Sequence, residues 1–143
     1  MDPRKFLNLA KTLHQSSAGG AAFRTSVNRS YYALHNWIVM FLERNNVPMP
    51  KAAAKHRKAL LMLQEVGIPE IRAVATALGD LLTERNMADY ELQGTRFQSQ
   101  KKAELIHMKA EGAYNQFSLH TKTEEKRNKL MQGIRDYEKR ISP

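Results

Sequence analysis

The chain of 143 residues contains no cysteine. Disulfides and thiolate metal sites are therefore excluded, which suits a reducing compartment. No apolar run reaches the roughly 20 residues that a membrane-spanning helix needs. Met1-Asp2-Pro3-Arg4-Lys5 leads into a mixed amphipathic segment instead of the apolar block of a signal peptide, so the expected location is the cytoplasm. Acidic residues are the scarcer charge, 14 Asp and Glu against 23 Lys and Arg, for a net charge of +9. A domain this basic attracts polyanions and releases their counterions, which makes RNA or a nucleotide the expected partner. A basic surface also serves solubility or meets an acidic protein. Gly19-Gly20 lacks the lysine and the spacing of a phosphate-cradling loop. The five histidines, His14, His35, His56, His107 and His120, are scattered, and no pair has a convincing metal spacing with a carboxylate. No metal or other cofactor is expected. Strand alternation, internal repeats and low-complexity blocks are also missing.

What is present is helical periodicity. The densest stretch is Asn28 to Leu42, which holds more large apolar and aromatic residues than any other run. At about 100° per residue, Val27, Tyr31, Leu34, Ile38 and Phe41 form one stripe. Arg29, Ala33, Asn36, Trp37 and Met40 form a second. Such a helix is buried on several sides, in a bundle or at an interface. It is predicted over Ala21–Arg44 and ends at Asn45-Asn46, before Pro48 and Pro50. Before it, Phe6, Leu7, Ala10, Leu13 and His14 predict a helix from Pro3 to Gln15, with a short turn at Ser16 to Gly20. Later helices are predicted over Ala53–Val66, stopped by Gly67, and from Pro69 to about Arg85-Asn86. Met87 to Gly94 reads as an ordered connector. Ser99 is the expected N-cap of a helix whose inward face is Ala103, Ile106, Ala110, Ala113, Tyr114 and Phe117. From Thr121 the chain is rich in charge, with Leu130, Ile134, Tyr137 and Ile141 at helical spacing. That tail either extends the preceding helix or forms its own. The fold class is an all-α antiparallel up-and-down bundle of about five helices. The bundle spans residues 1–120, and residues 121–143 form a basic C-terminal helical extension or tail.

Three polar groups on the central helix can do chemistry. His35 exchanges a proton near neutral pH, and Arg29 can bind a phosphate bidentately and stabilise charge developing on it. Together they are the least that metal-independent RNA cleavage needs, since the substrate's own 2′-hydroxyl is the nucleophile. The plain alternative is a structural arginine and a hydrogen-bonded core histidine. Lys55-His56-Arg57-Lys58 sets positive charge around the first turn of a helix, where the dipole disfavours it. Phosphate binding is one reason for such a run, and a solvated face is the other.

Arg29-Ser30-Tyr31-Tyr32-Ala33-Leu34-His35 followed by an apolar helix resembles the Arg-x-Tyr-Tyr-Ala signature of small stand-alone prokaryotic HEPN domains. Lys55-His56-Arg57-Lys58 is similar to the basic start of that family's third helix. Arg85-Asn86-Met87-Ala88-Asp89-Tyr90 resembles its Arg-x-x-Ala-Asp-Tyr segment, and Ala103 to Phe117 its closing helix. The resemblance covers about residues 3–120. It implies a helical bundle, usually a homodimer, with the second helix at the interface. It also implies metal-independent endoribonuclease activity, often as the toxin of a toxin–antitoxin or defence module. Other members cleave nothing and pair with a minimal nucleotidyltransferase or an antitoxin. On this resemblance Arg29 holds the scissile phosphate and His35 is the general acid/base. Asn36 fills the position where close small relatives carry histidine, and orients the substrate. Lys55, His56, Arg57 and Lys58 grip the RNA backbone. Tyr32, Trp37 and Met40, left over on the second helix, are expected to meet the partner copy.

Overall fold

The computed structural model describes residues 2–15, 19–90 and 99–142. They form six helices: α1 (Arg4–Gln15), α2 (Gly20–Arg44), α3 (Ala53–Gln64), α4 (Pro69–Tyr90), α5 (Gln100–Lys122) and α6 (Glu124–Ile141). No strand occurs among the described residues. Residues 16–18 of the expected first turn, and residues 91–94 of the expected connector, lie outside them.

Long α2 is the centre of the bundle and touches α1, α3, α4 and α5. Its Val27, Leu34, Ile38 and Leu42 are fully buried. On the α1 side Ser26 Oγ donates to the Ala10 carbonyl at 2.7 Å. Farther along the same pair, the Arg29 guanidinium lies 5.8 Å from the Phe6 ring centre. These contacts set α1 and α2 antiparallel. Arg24 donating to the Ala88 carbonyl (2.9 Å) and Arg85 over the Tyr31 ring (5.4 Å) do the same for α2 and α4. Lys102–Glu84 and Lys109–Asp80 pair α4 antiparallel to α5. Helices α2 and α5 therefore run in the same direction, and they pack directly on each other. Trp37 Nε1 donates to Ser118 Oγ at 3.0 Å, and Phe41 meets Phe117 edge to face. Trp37 thus packs half-buried against α5 of its own chain.

Two boundaries differ from the sequence reading. Helix α4 does not stop at Arg85-Asn86 but continues to Tyr90. Ala88 is buried, and Met87 packs half-buried against the core, which carries apolar contact through this last turn. Helix α3 stops at Gln64, two residues short of Val66, as the chain turns towards Gly67 at φ 77°.

The charged tail is a helix of its own. Thr123 breaks from α5 and caps α6, its side chain accepting from the Lys126 amide at 3.2 Å. Glu124 and Glu125 open α6 and Lys139 and Arg140 close it, each charge on the favourable end of the dipole. Leu130, Met131 and Ile134 are buried within the common apolar core. Gly133 permits this approach, because a Cβ there would lie 2.6 Å from the Val66 carbonyl oxygen. Gly133→Ala is expected to destabilise the protein by about 1–3 kcal/mol, the usual range for overpacking. Gly112 of α5 has open space around it. Gly112→Ala is expected to stabilise by up to about 1 kcal/mol through helix propensity. Urea unfolding of the two variants checks both signs.

Candidate functional site

The polar residues of the α2 signature point to two separate places. Arg29 lines a cavity of ≈ 420 Å³ with Arg24, Asn28 and Asp89. One of its guanidinium nitrogens donates to Asn28 Oδ1 at 2.7 Å, and Asn28 Nδ2 in turn donates to Asp89 at 3.1 Å. His35 and Asn36, together with Tyr32, Lys55, His56 and Ala52, line a second cavity of ≈ 450 Å³ between α2 and the start of α3. The two faces follow from helix geometry. Six residues advance the chain by about 9 Å and turn it about 120° away from its starting face. Of the basic run, Lys55 and His56 thus join His35 and Asn36. Arg57 is exposed, and the Lys58 ammonium bonds the Pro48 carbonyl outside this cavity.

The second cavity is built on a column of rings. His35 and His56 stack with centroids 4.1 Å apart and planes within 16°. Tyr31 stacks beside both, and its hydroxyl is hydrogen-bonded to His56 Nδ1. Tyr32 meets both imidazoles edge on. Arg85, reaching in from α4, sits 5.4 Å from the ring centres of Tyr31 and Tyr32 and 3.7 Å from Asp89. Its role was hidden in the sequence, where its partners stand more than 50 positions away. The legible signal was the Arg85/Asp89 spacing of four on a helix that continues past Asn86.

Burial and charge act together on these groups. His35 is 3% exposed and its Nδ1 has no hydrogen-bond partner. Burial, and then the fields of His56, Lys55 and Arg85, push its pKa down to about 3. The pKa of His56 is lowered by burial and by Arg85 and Lys55. Burial raises that of Tyr31, against the pull of Arg85. At neutral pH Tyr31 therefore keeps its proton and can donate to His56 Nδ1, and in that tautomer the single N–H of the neutral imidazole is on Nε2.

The cavity floor is electropositive for a further reason. Helix α3 begins without a side-chain cap and without an acidic residue in its first turn. Ala52, just before it, holds φ 57° and ψ −139°, a sparsely populated conformation that costs a non-glycine residue roughly 1–3 kcal/mol. The Lys55 amide donates to the Ala52 carbonyl at 3.0 Å, and the positive end of the helix dipole stands beside Lys55 and His56. One carboxylate, that of Glu43, also lines the cavity, 3.9 Å from the Lys55 ammonium. Geometry and charge suit an oxyanion with an attached ring.

Among the described residues, no three His, Asp or Glu side chains stand grouped as ligands of a metal ion. Nor is any helix among them long and apolar enough to cross a membrane. Comparison with protein-family models, with curated proteins and with solved structures finds no match.

The lowered His35 pKa links stability to pH. The folded value lies below the unfolded one, about 6.5, so the unfolded chain binds the proton first. The stability that neutral His35 permits is complete above about pH 6.5 and is lost as pH falls towards 3. The loss reaches up to about 1.4 kcal/mol per pH unit. His35→Leu is expected to flatten this part of the stability profile. Urea midpoints of wild type and variant between pH 7 and 4 measure it, and parallel profiles would refute the assignment.

Proposed function

We propose that this chain is a HEPN-type RNA-targeting protein, a cytoplasmic metal-independent endoribonuclease acting as the toxin of a toxin–antitoxin or defence module. The observation that carries this reading is the α2–α3 cavity, where two stacked imidazoles face an uncapped basic helix start. In cleavage the 2′-oxygen attacks phosphorus and the 5′-oxygen leaves, so one group must accept a proton and another must give one. His35, whose buried Nδ1 has no partner, becomes the acceptor once its ring turns into the cavity that it lines. His56, held by Tyr31, offers Nε2–H as the donor to the leaving oxygen. Lys55 and the positive end of α3 hold the phosphate, and an entering phosphate offsets the cationic fields that depress both histidines. Asn36 orients the sugar. Arg29, in the neighbouring cavity, holds a flanking phosphate, and Arg57 and Lys58 add longer-range attraction to the backbone. A homodimer, with the remaining surface of α2 near the two-fold axis, sets two such cavities side by side.

One observation favours a second reading, a non-catalytic HEPN module that pairs with a minimal nucleotidyltransferase or antitoxin. Arg29 is engaged with Asn28 and opens into a different cavity from His35. The two readings part in one experiment, RNA-end mapping after expression of wild type, His56→Ala and His35→Ala. The nuclease reading predicts new RNA ends with wild type and a loss of about 100-fold or more with either variant, the usual range for a missing general acid or base. Wild type that creates no new ends and co-purifies with a nucleotidyltransferase supports the second reading.

A further inference from the structure

One group in the α2–α3 cavity takes no part in the proposed cleavage. Glu43 lines it beside Asn36, Val39 and Met40, in a lining otherwise of neutral and cationic groups. Its charge suits neither the helix nor a phosphate. Glu43 lies in the last turn of α2, where the negative end of the dipole disfavours a carboxylate. It also repels the anion that Lys55 attracts. The Lys55 ammonium is 3.9 Å away, beyond hydrogen-bond reach, and both side chains are partly exposed. An ion pair this loose adds little to stability. Both carboxylate oxygens keep their capacity to accept hydrogen bonds from a ligand.

The place of Glu43 on α2 narrows what that ligand group is. Asn36, Val39, Met40 and Glu43 stand at i, i+3, i+4 and i+7, on one face of the helix. That face leads from Asn36, beside the stacked histidines, to Glu43 over about 10 Å, at roughly 1.5 Å per residue. Helical side chains lean towards the N-terminus, which brings the Glu43 carboxylate back over Val39 and Met40. Between the two polar ends the wall is therefore apolar, and the Met40 thioether is a polarizable surface for a flat ring. The volume, ≈ 450 Å³, lies within the about 300–1,000 Å³ usual for small-molecule sites. A phosphate at the histidines, a sugar at Asn36 and a base over Val39 and Met40 place the hydrogen-bonding edge of the base at Glu43. The phosphate draws Lys55 to itself and releases Glu43 from its loose pairing.

We propose that Glu43 makes this cavity select guanine. An ionised carboxylate only accepts, and its two oxygens can take two N–H donors side by side. Guanine presents two such donors, N1–H and the N2 amine, next to each other on its Watson–Crick edge. Adenine and cytosine each place one amine beside an unprotonated ring nitrogen, whose lone pair would face the carboxylate. Uracil offers a single N–H between two carbonyls. Glu43 thus discriminates by repulsion as well as by attraction. This inference rests on the nuclease reading for the position of the phosphate, and it places cleavage next to guanosine. Glu43 gave no signal in the sequence, because its cavity neighbours on α3 lie across the loop that holds Pro48 and Pro50.

The test is calorimetric titration of the intact protein with the 3′-monophosphates of guanosine, adenosine, cytidine and uridine, alongside the mapping of RNA ends. Inosine 3′-monophosphate, which keeps N1–H and lacks the N2 amine, is the fifth probe. The guanosine form should bind about tenfold or more tighter than the adenosine, cytidine and uridine forms, the usual worth of a bidentate base contact. The inosine form should fall between. Glu43→Gln, at a half-exposed position away from the core, should erase the preference. The other three nucleotides should then bind as well or better, because a negative charge is gone. Similar affinity for all the nucleotides, no binding of any, or a guanine preference that survives in Glu43→Gln overturns the proposal. Guanine-selective binding without RNA cleavage keeps this inference and removes the nuclease. New RNA ends at every base, with equal binding of the nucleotides, keep the nuclease and remove this inference.

Discussion

Everything in this fold depends on the packing of α2 against four neighbouring helices. A helix with one apolar stripe can be covered by one or two neighbours, whereas α2 presents apolar groups around most of its circumference and meets four helices. On its α1 side, Ser26 bonded to Ala10 and Arg29 over Phe6 hold α1. Trp37 and Phe41 bring in α5, and Leu34, Ile38 and Leu42 fill the centre. Each of these large aliphatic side chains is worth about 2–5 kcal/mol against truncation, so α2 is where the fold is least tolerant of change. Helices α3 and α6 then close the lower part of the bundle, where Gly133 lets α6 reach the backbone after α3.

The same burial creates the chemistry. Polar groups on a helix surrounded by protein lose water, and they must find partners or change their protonation. Arg29, Asn28, Asp89 and Arg85 solve this with mutual hydrogen bonds and ion pairs. Tyr31, His56 and His35 solve it by stacking and by staying neutral under the field of Lys55 and Arg85. What results is an electropositive cavity with neutral imidazoles inside it. An anion that enters meets both charge and proton donors, and its own charge makes the histidines more basic. On the proposed reading, binding and readiness for proton transfer are thereby coupled.

The helices were largely legible because periodicity is a local property. The 3.6-residue repeat marked α1, α2, α4 and α5, and Gly67 and Ser99 marked ends through their own backbone and side-chain chemistry. The end of α4 was misplaced because Met87 to Tyr90 shows no apolar stripe, and only the tertiary contacts of Met87 and Ala88 reveal why the helix continues. The tail left two readings open, and Thr123 decides between them as a cap. The candidate site was legible residue by residue but not as an arrangement. His35, Asn36, Lys55 and His56 were all visible, yet nothing local says that two imidazoles 21 positions apart stack, or that Arg29 faces another cavity. Those facts depend on how α3 lies against α2, which sequence spacing does not encode.

The central claim is that RNA phosphate enters the cavity of the stacked histidines. It is tested most directly by titrating the protein with an RNA whose 2′-hydroxyl at the scissile position is replaced by hydrogen, while imidazole nitrogen resonances are followed. Binding without cleavage should shift His35 and His56 towards the protonated form at neutral pH, because the phosphate counters Lys55 and Arg85. If the RNA binds and these two rings keep the resonances of the free protein, the phosphate lies elsewhere and the claim is wrong.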